Sequence, residues 1–136
     1  MAIAALLLGA LALPWPLSGT PGPTEYERLA RRYFVAWNAH DVPGLRALLA
    51  DDVTLVDWDI EKTGGDEVAA ATGHLFEAEP KISIDIQAIH VSDATKTAIC
   101  EIMVRLHNAK EKVQKVAKLL TFDGAGKIAH VHAYKG

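Results

Sequence analysis

From Thr24 onward the apolar positions recur first at helical spacing and then in alternation. Tyr26, Leu29, Tyr33 and Trp37 share one helical face, and Thr24-Glu25-Tyr26-Glu27 is a capping-box pattern that would satisfy the free N–H groups of that helix's first turn. Asp41 can cap a second, shorter helix carrying Leu45, Leu48 and Leu49, with Pro43 tolerated in its first turn. Residues 53–58 read as a strand. Gly64-Gly65 then breaks the chain, Asp66 is expected to cap a third helix carrying Val68, Leu75 and Phe76, and Pro80 prevents its continuation. Beyond Pro80 the period becomes two, with Ile82, Ile84 and Ile86 alternating with Ser83, Asp85 and Gln87. The phase slips near Ala88-Ile89, as a bulge would cause. Strands are expected at about 96–107, 112–122 and 127–134. The joints Asn108-Ala109-Lys110-Glu111 and Asp123-Gly124-Ala125-Gly126 suit antiparallel hairpins. Helices first and a meander afterwards predict an α+β domain, its helices covering one face of a curved antiparallel sheet.

The first 23 residues do not fit this pattern. Ala2 to Leu13 is a nearly unbroken Ala/Leu/Ile run, followed by Pro14, Pro16, Pro21 and Pro23. It is too short for an ordinary membrane span and has the apolar core of a secretory signal, yet no Lys or Arg precedes it. Two readings stay open: an export or organelle-targeting segment, or an N-terminal extension that packs on the domain or on a partner. Cytoplasmic, exported and organellar placement all remain open. Residues 24–136 form one domain, since a chain of 136 residues has no room for a second. The net charge of −3 spreads Lys and Arg through the chain, which argues against nucleic acid as a partner. Cys100, the single cysteine, lies in a Val/Ile-rich strand and is expected to be a buried, inert thiol.

The chemistry-bearing positions are few. Asp57 ends a strand-like alternation between Val56 and Trp58, where burial would raise its pKa and make it a useful base. Tyr33 sits on the apolar stripe of the first helix beside Trp37, as a core aromatic or as a pocket group. Lys118 shares a strand face with Val116, Leu120 and Phe122, so it is expected at a cavity mouth, in a pair, or with its stem on apolar surface and its ammonium in water. His130 and His132 share a face with Tyr134, but no acidic or cysteine ligand joins them at a recognised spacing, so no metal is expected. His40 and His74 are expected to be exposed. There is no Gly-rich phosphate loop, no nucleophile elbow and no Cys/His pair within a motif, and no cofactor is expected.

The element order resembles the NTF2-like superfamily, and within it the SnoaL-like and ketosteroid-isomerase-like branch. Asn38-Ala39-x-Asp41 before a leucine-rich turn, Ala50-Asp51-Asp52 and the closing Phe122-Asp123-Gly124-Ala125-Gly126-Lys127 hairpin carry the resemblance. It implies a cone-shaped fold, with three N-terminal helices on a curved mixed or antiparallel sheet, a small-molecule pocket and a homodimer through the sheet's outer face. It also implies a site: Tyr33 at the position of the oxyanion-binding tyrosine and Asp57 at that of the base. The branch's oxyanion-hole aspartic acid is replaced by Lys118, which argues against steroid isomerisation. Trp37, Trp58, Phe76, Leu120 and Val131 are expected to touch substrate.

On the strand at 96–107, two arguments oppose each other. Hydrophobicity turns Cys100, Ile102, Val104 and Leu106 toward the helices. Ungapped alignment by the resemblance turns Glu101, Met103 and Arg105 into the cavity instead, and the cavity reading is adopted. The expected function is binding of a small, partly apolar molecule with cofactor-independent acid–base chemistry beside a carbonyl, as in an isomerase or polyketide cyclase. It requires a cavity of about 300 Å³ or more beside Asp57. The alternatives are a non-catalytic binding or assembly domain, and a water-adding enzyme of the epoxide-hydrolase type should Glu101 and Arg105 converge on Asp57.

Overall fold

The computed structural model describes residues 24–107, 110 and 112–135. The readings of residues 1–23, and of most of the joint at 108–111, lie outside the described residues. Helix α1 (Glu25–Asn38) starts as its sequence dictates, with the Thr24 hydroxyl accepting from the Glu27 N–H at 3.1 Å. Its stripe of Ala30, Tyr33, Phe34 and Trp37 is buried. Helix α2 (Val42–Leu48) is capped by Asp41, whose carboxylate accepts from the Gly44 N–H at 3.0 Å.

The chain then enters β1 (Leu49–Asp57), turns tightly at Trp58-Asp59 and returns as β2 (Ile60–Thr63). Strand β2 was not expected: four exposed residues, Ile-Glu-Lys-Thr, carry no alternation to read. Helix α3 (Gly65–Ala78) follows this hairpin, so two of the three helices precede the sheet and the third is inserted into it. Its N-cap is Gly64, at φ +104°, a conformation that L side chains rarely adopt. Asp66 is therefore not the cap. It lies in the first turn, where its carboxylate accepts from Arg46 Nε at 2.8 Å.

Strands β3 (Ser83–Ser92), β4 (Thr97–Arg105), β5 (Val113–Phe122) and β6 (Ile128–Lys135) complete a six-stranded sheet ordered β2-β1-β6-β5-β4-β3. Only the β1–β6 pairing is parallel, and the register slips between Ile86 and Ala88, where the alternation had slipped. The fold is α+β with a mixed sheet. At the closing hairpin, Asp123 Oδ1 accepts from the N–H groups of Ala125 and Lys127, both at 2.9 Å. Asn38, just inside the end of α1, pairs with the backbone of Ile84 in both directions, at 2.9 and 2.7 Å, and anchors that helix to β3.

Phe34, Ile102, Leu120, Ile128 and Val131 anchor the core between helices and sheet. On β4 it is Ala98, Cys100 and Ile102 that are buried, so hydrophobicity decides the facing. Turning Glu101 and Arg105 inward would desolvate two charges and expose the aliphatic set. Cys100 is fully buried, which pushes its thiol up to about 12. Among the described residues no helix is long and apolar enough to cross a membrane.

Candidate functional site

Between the helices and the sheet lies a cavity in which polar groups meet an apolar wall. Its volume is about 210 Å³, and Tyr33 and Trp37 from α1, Asp57 and Trp58 from the end of β1, Lys118 from β5 and Val131 from β6 line it. Helix α3 closes the opposite side with Val68, Ala69, Thr72 and Leu75.

Each polar group owes its place to a backbone feature. Strand alternation sends Asp57 to the same side as Leu55, and it is the last residue to do so before the turn. Trp58, at φ +55°, is 46% exposed at the cavity mouth, with Lys135 Nζ 5.4 Å from the centre of its ring. Lys118 is only 8% exposed and stands among Val116, Leu120 and Phe122, all buried. Its ammonium donates to the Tyr33 hydroxyl oxygen at 3.4 Å and lies 5.4 Å from the ring centres of both Tyr33 and Trp37. Trp37 is held by an edge-on contact with Phe76 at 5.0 Å.

Asp57 is the electrostatic anomaly. Its Oδ1 is buried and accepts no hydrogen bond. Burial pushes its carboxyl above the usual aspartate range; the Lys118 charge opposes this and Asp59 reinforces it. Among the described residues, no carboxylate oxygen lies within ion-pair distance of Lys118. The cavity thus holds a half-buried acid and a buried cation that influence each other without forming an ion pair.

The other expected substrate contacts fall elsewhere. Glu101, Met103 and Arg105 are on the outer face of the sheet. The Glu101 carboxylate is 2.6 Å from His90 Nε2, and Arg105 pairs with Asp85 across the β3–β4 ladder. The Asp/Glu/Arg set for water addition therefore does not converge on Asp57, and Cys100 and Ile102, which the cavity reading would turn outward, are buried in the core. Phe76 and Leu120 are buried but are not among the residues that line the cavity.

His40 is not the exposed residue expected. It is half-buried, stacks on Phe76 at 4.1 Å and meets the Ile82 carbonyl through Nε2 at 2.8 Å. Among the described residues no three metal-ligating side chains gather, and His130 is engaged by the Thr54 hydroxyl. Ile60 and Thr72 are lining residues that the sequence reading missed. Thr72 could have been found, being four residues beyond Val68 on the inward face of α3.

The chain matches the SnoaL-like domain family over residues 30–131. None of the curated proteins compared with it matches. Similar solved structures include a cystatin-like protein of unknown function from Methylobium petroleophilum, 20% identical with a TM-score of 0.74 over 85% of this chain and 80% of that one. A SnoaL-like protein of unknown function from Burkholderia thailandensis is 16% identical with a TM-score of 0.71, covering 85% of this chain and 99% of that one. A proposed polyketide cyclase from Sinorhizobium meliloti is 16% identical with a TM-score of 0.70, covering 79% and 94% respectively. At these identities the likeness is one of fold. The family match spans most of the domain and agrees with the helix-covered, mixed sheet described above: the chain belongs to the SnoaL-like domain family.

Proposed function

We propose that this domain binds a small, partly apolar, oxygen-bearing molecule in the Asp57 cavity. The observation that carries the reading is the Asp57 carboxyl, whose Oδ1 is buried without a donor, lining the same apolar cavity as Lys118. A fold leaves such an acceptor unmet at a cost of about 1–3 kcal/mol, and a ligand donor would recover it. The cavity's size limits the ligand. About 210 Å³ falls short of the 300 Å³ required for a drug-sized substrate and equals the space of about seven waters. A four-ring steroid does not fit, and on the size criterion binding takes precedence over turnover.

A second reading, acid–base catalysis on a small carbonyl compound, is favoured by the raised pKa of Asp57. Asp57 would take a proton from the carbon beside the carbonyl and return it at another carbon. Tyr33 would donate to the developing oxyanion, and Lys118 would stabilise its charge. Self-association through the outer face rests on Ile99 and Tyr134, both exposed there, and is checked by mass measured against concentration.

The test is a panel of small aldehydes, ketones and acids, screened by ligand-observed NMR against the full chain and against Thr72→Phe, which fills the cavity from α3. Binding confined to the unfilled protein is expected. Equal binding to both would remove this cavity as the site. For any compound turned over, Asp57→Asn should cost about a hundred-fold or more in kcat, the usual scale for loss of a positioned base. Unchanged kcat would remove Asp57 as the base.

A further inference from the structure

Lys118 is, among the described residues, the only charged side chain that the fold buries, and its neighbours do not neutralise it. Cys100 faces it directly across the β4–β5 ladder, but its thiol, pushed up to about 12 by burial, carries no charge at neutral pH. The Tyr33 hydroxyl accepts its proton at 3.4 Å, a long contact, and the rest of its company is the two aromatic faces. Asp57 feels the lysine's charge, yet its Oδ1 is left without a donor. One cavity therefore offers a cation short of an anion and, separately, an acceptor short of a donor.

Those two deficits specify a ligand more closely than size does. Resting on the binding reading above, we infer that the occupant is a small organic monoanion with a hydroxyl or amino donor elsewhere on a short apolar body, the chemistry of a hydroxy-carboxylic acid. Its anionic oxygen meets the Lys118 ammonium. The Tyr33 hydroxyl, whose oxygen already accepts from Lys118, still has its own proton to donate to the same oxygen. The ligand's donor meets the Asp57 carboxylate, and its apolar body lies against Trp37, Leu55 and Val131. A single charge is specified because Lys118 is the one cation among the residues lining the cavity. A dianion would bring a second charge into an apolar wall with nothing to pair it.

The experiment is calorimetric titration of the full chain with three probes of similar size: para-hydroxybenzoate, benzoate and the neutral para-hydroxybenzyl alcohol. The first is expected to bind tightest. Lys118→Met should weaken it by about tenfold or more, to the level of the alcohol, because a charge-assisted contact is lost. Asp57→Leu should erase its advantage over benzoate while leaving benzoate itself little changed. Lys118→Gln serves in place of Lys118→Met if the methionine variant does not give the wild-type circular dichroism spectrum. If the alcohol binds as tightly as the anion and the lysine variants change neither, the anion assignment is overturned while the cavity still stands as a binding site. If benzoate matches para-hydroxybenzoate, the donor assignment is overturned. If none of the three binds, the inference fails and the binding reading fails with it.

Discussion

Strand β1 carries an aspartate near each end, and the two could hardly be treated more differently. Asp51 is exposed, and its carboxylate accepts from Arg46 at 2.8 Å. That guanidinium also reaches Asp66 and so ties α2, β1 and α3 together. The Arg46 hydrogen bond, with its charge, holds Asp51 below the usual carboxylate range, and the two acids hold Arg46 above its own. Asp57, six residues on, is half-buried beside a lysine that does not pair with it, and it is pushed the other way. The outer face of the sheet follows the Asp51 pattern, with Glu101 on His90 and Arg105 on Asp85. Where this fold uses charge for structure, it pairs it. The cavity is where it does not, and an unmet polar group is better evidence of a site than a charged residue as such.

The largest stability effect should come from removing the anomaly. Asp57→Leu replaces a half-buried acid whose Oδ1 has no donor with a side chain that suits Leu55 and Ile60. It is expected to raise stability at neutral pH by about 1–3 kcal/mol while removing the advantage of para-hydroxybenzoate over benzoate, as read by urea unfolding and titration. A destabilised variant would mean that Asp57 is paired after all, like Asp51.

Much of this contrast could be read from the sequence, though not all of it. Thr24 and Asp41 cap as expected because capping is local, and Lys118 was placed correctly because a period of two fixes its face with Val116, Leu120 and Phe122. Asp57 came from the same logic, although its missing partner could not be read from pattern. The errors arose wherever a tertiary contact decides. A count carried over from the family placed β4 one residue out of phase, which is enough to turn Glu101, Met103 and Arg105 to the wrong side. His40 is taken inward by a carbonyl 42 residues away, and Asp66 is claimed by Arg46 rather than by the helix start. Phe76 and Leu120 show that periodicity finds the buried face without telling cavity wall from packed core.

The pH dependence is a smaller effect, and its sign separates the two aspartates. Asp57, raised in the folded state, contributes stability that is complete below about 3.8 and is lost as pH rises through its folded value. Asp51, lowered, contributes stability that is present above 3.8 and is lost as pH falls through its folded value. Wild type should therefore lose stability relative to Asp57→Asn as pH climbs from 3 to 7, and gain relative to Asp51→Asn over the lower part of that range. Thermal melts across that interval would show it, and parallel curves for the two variants would end the distinction. Smallest of all should be Arg105→Gln on the outer face, where breaking a partly exposed pair is expected to cost about 1 kcal/mol or less. A larger loss would show that the outer charges hold the sheet together as the core does.

The most direct test is the titration of the Asp57 carboxyl itself, followed by carbon-detected NMR in wild type and in Lys118→Met. A midpoint above 3.8 is expected in wild type, because burial outweighs the nearby ammonium, and a further rise when that ammonium is removed. A wild-type midpoint at or below 3.8 that rises only to the ordinary value in the variant would show a paired carboxylate, and the cavity would lose the unmet acid on which its function is argued.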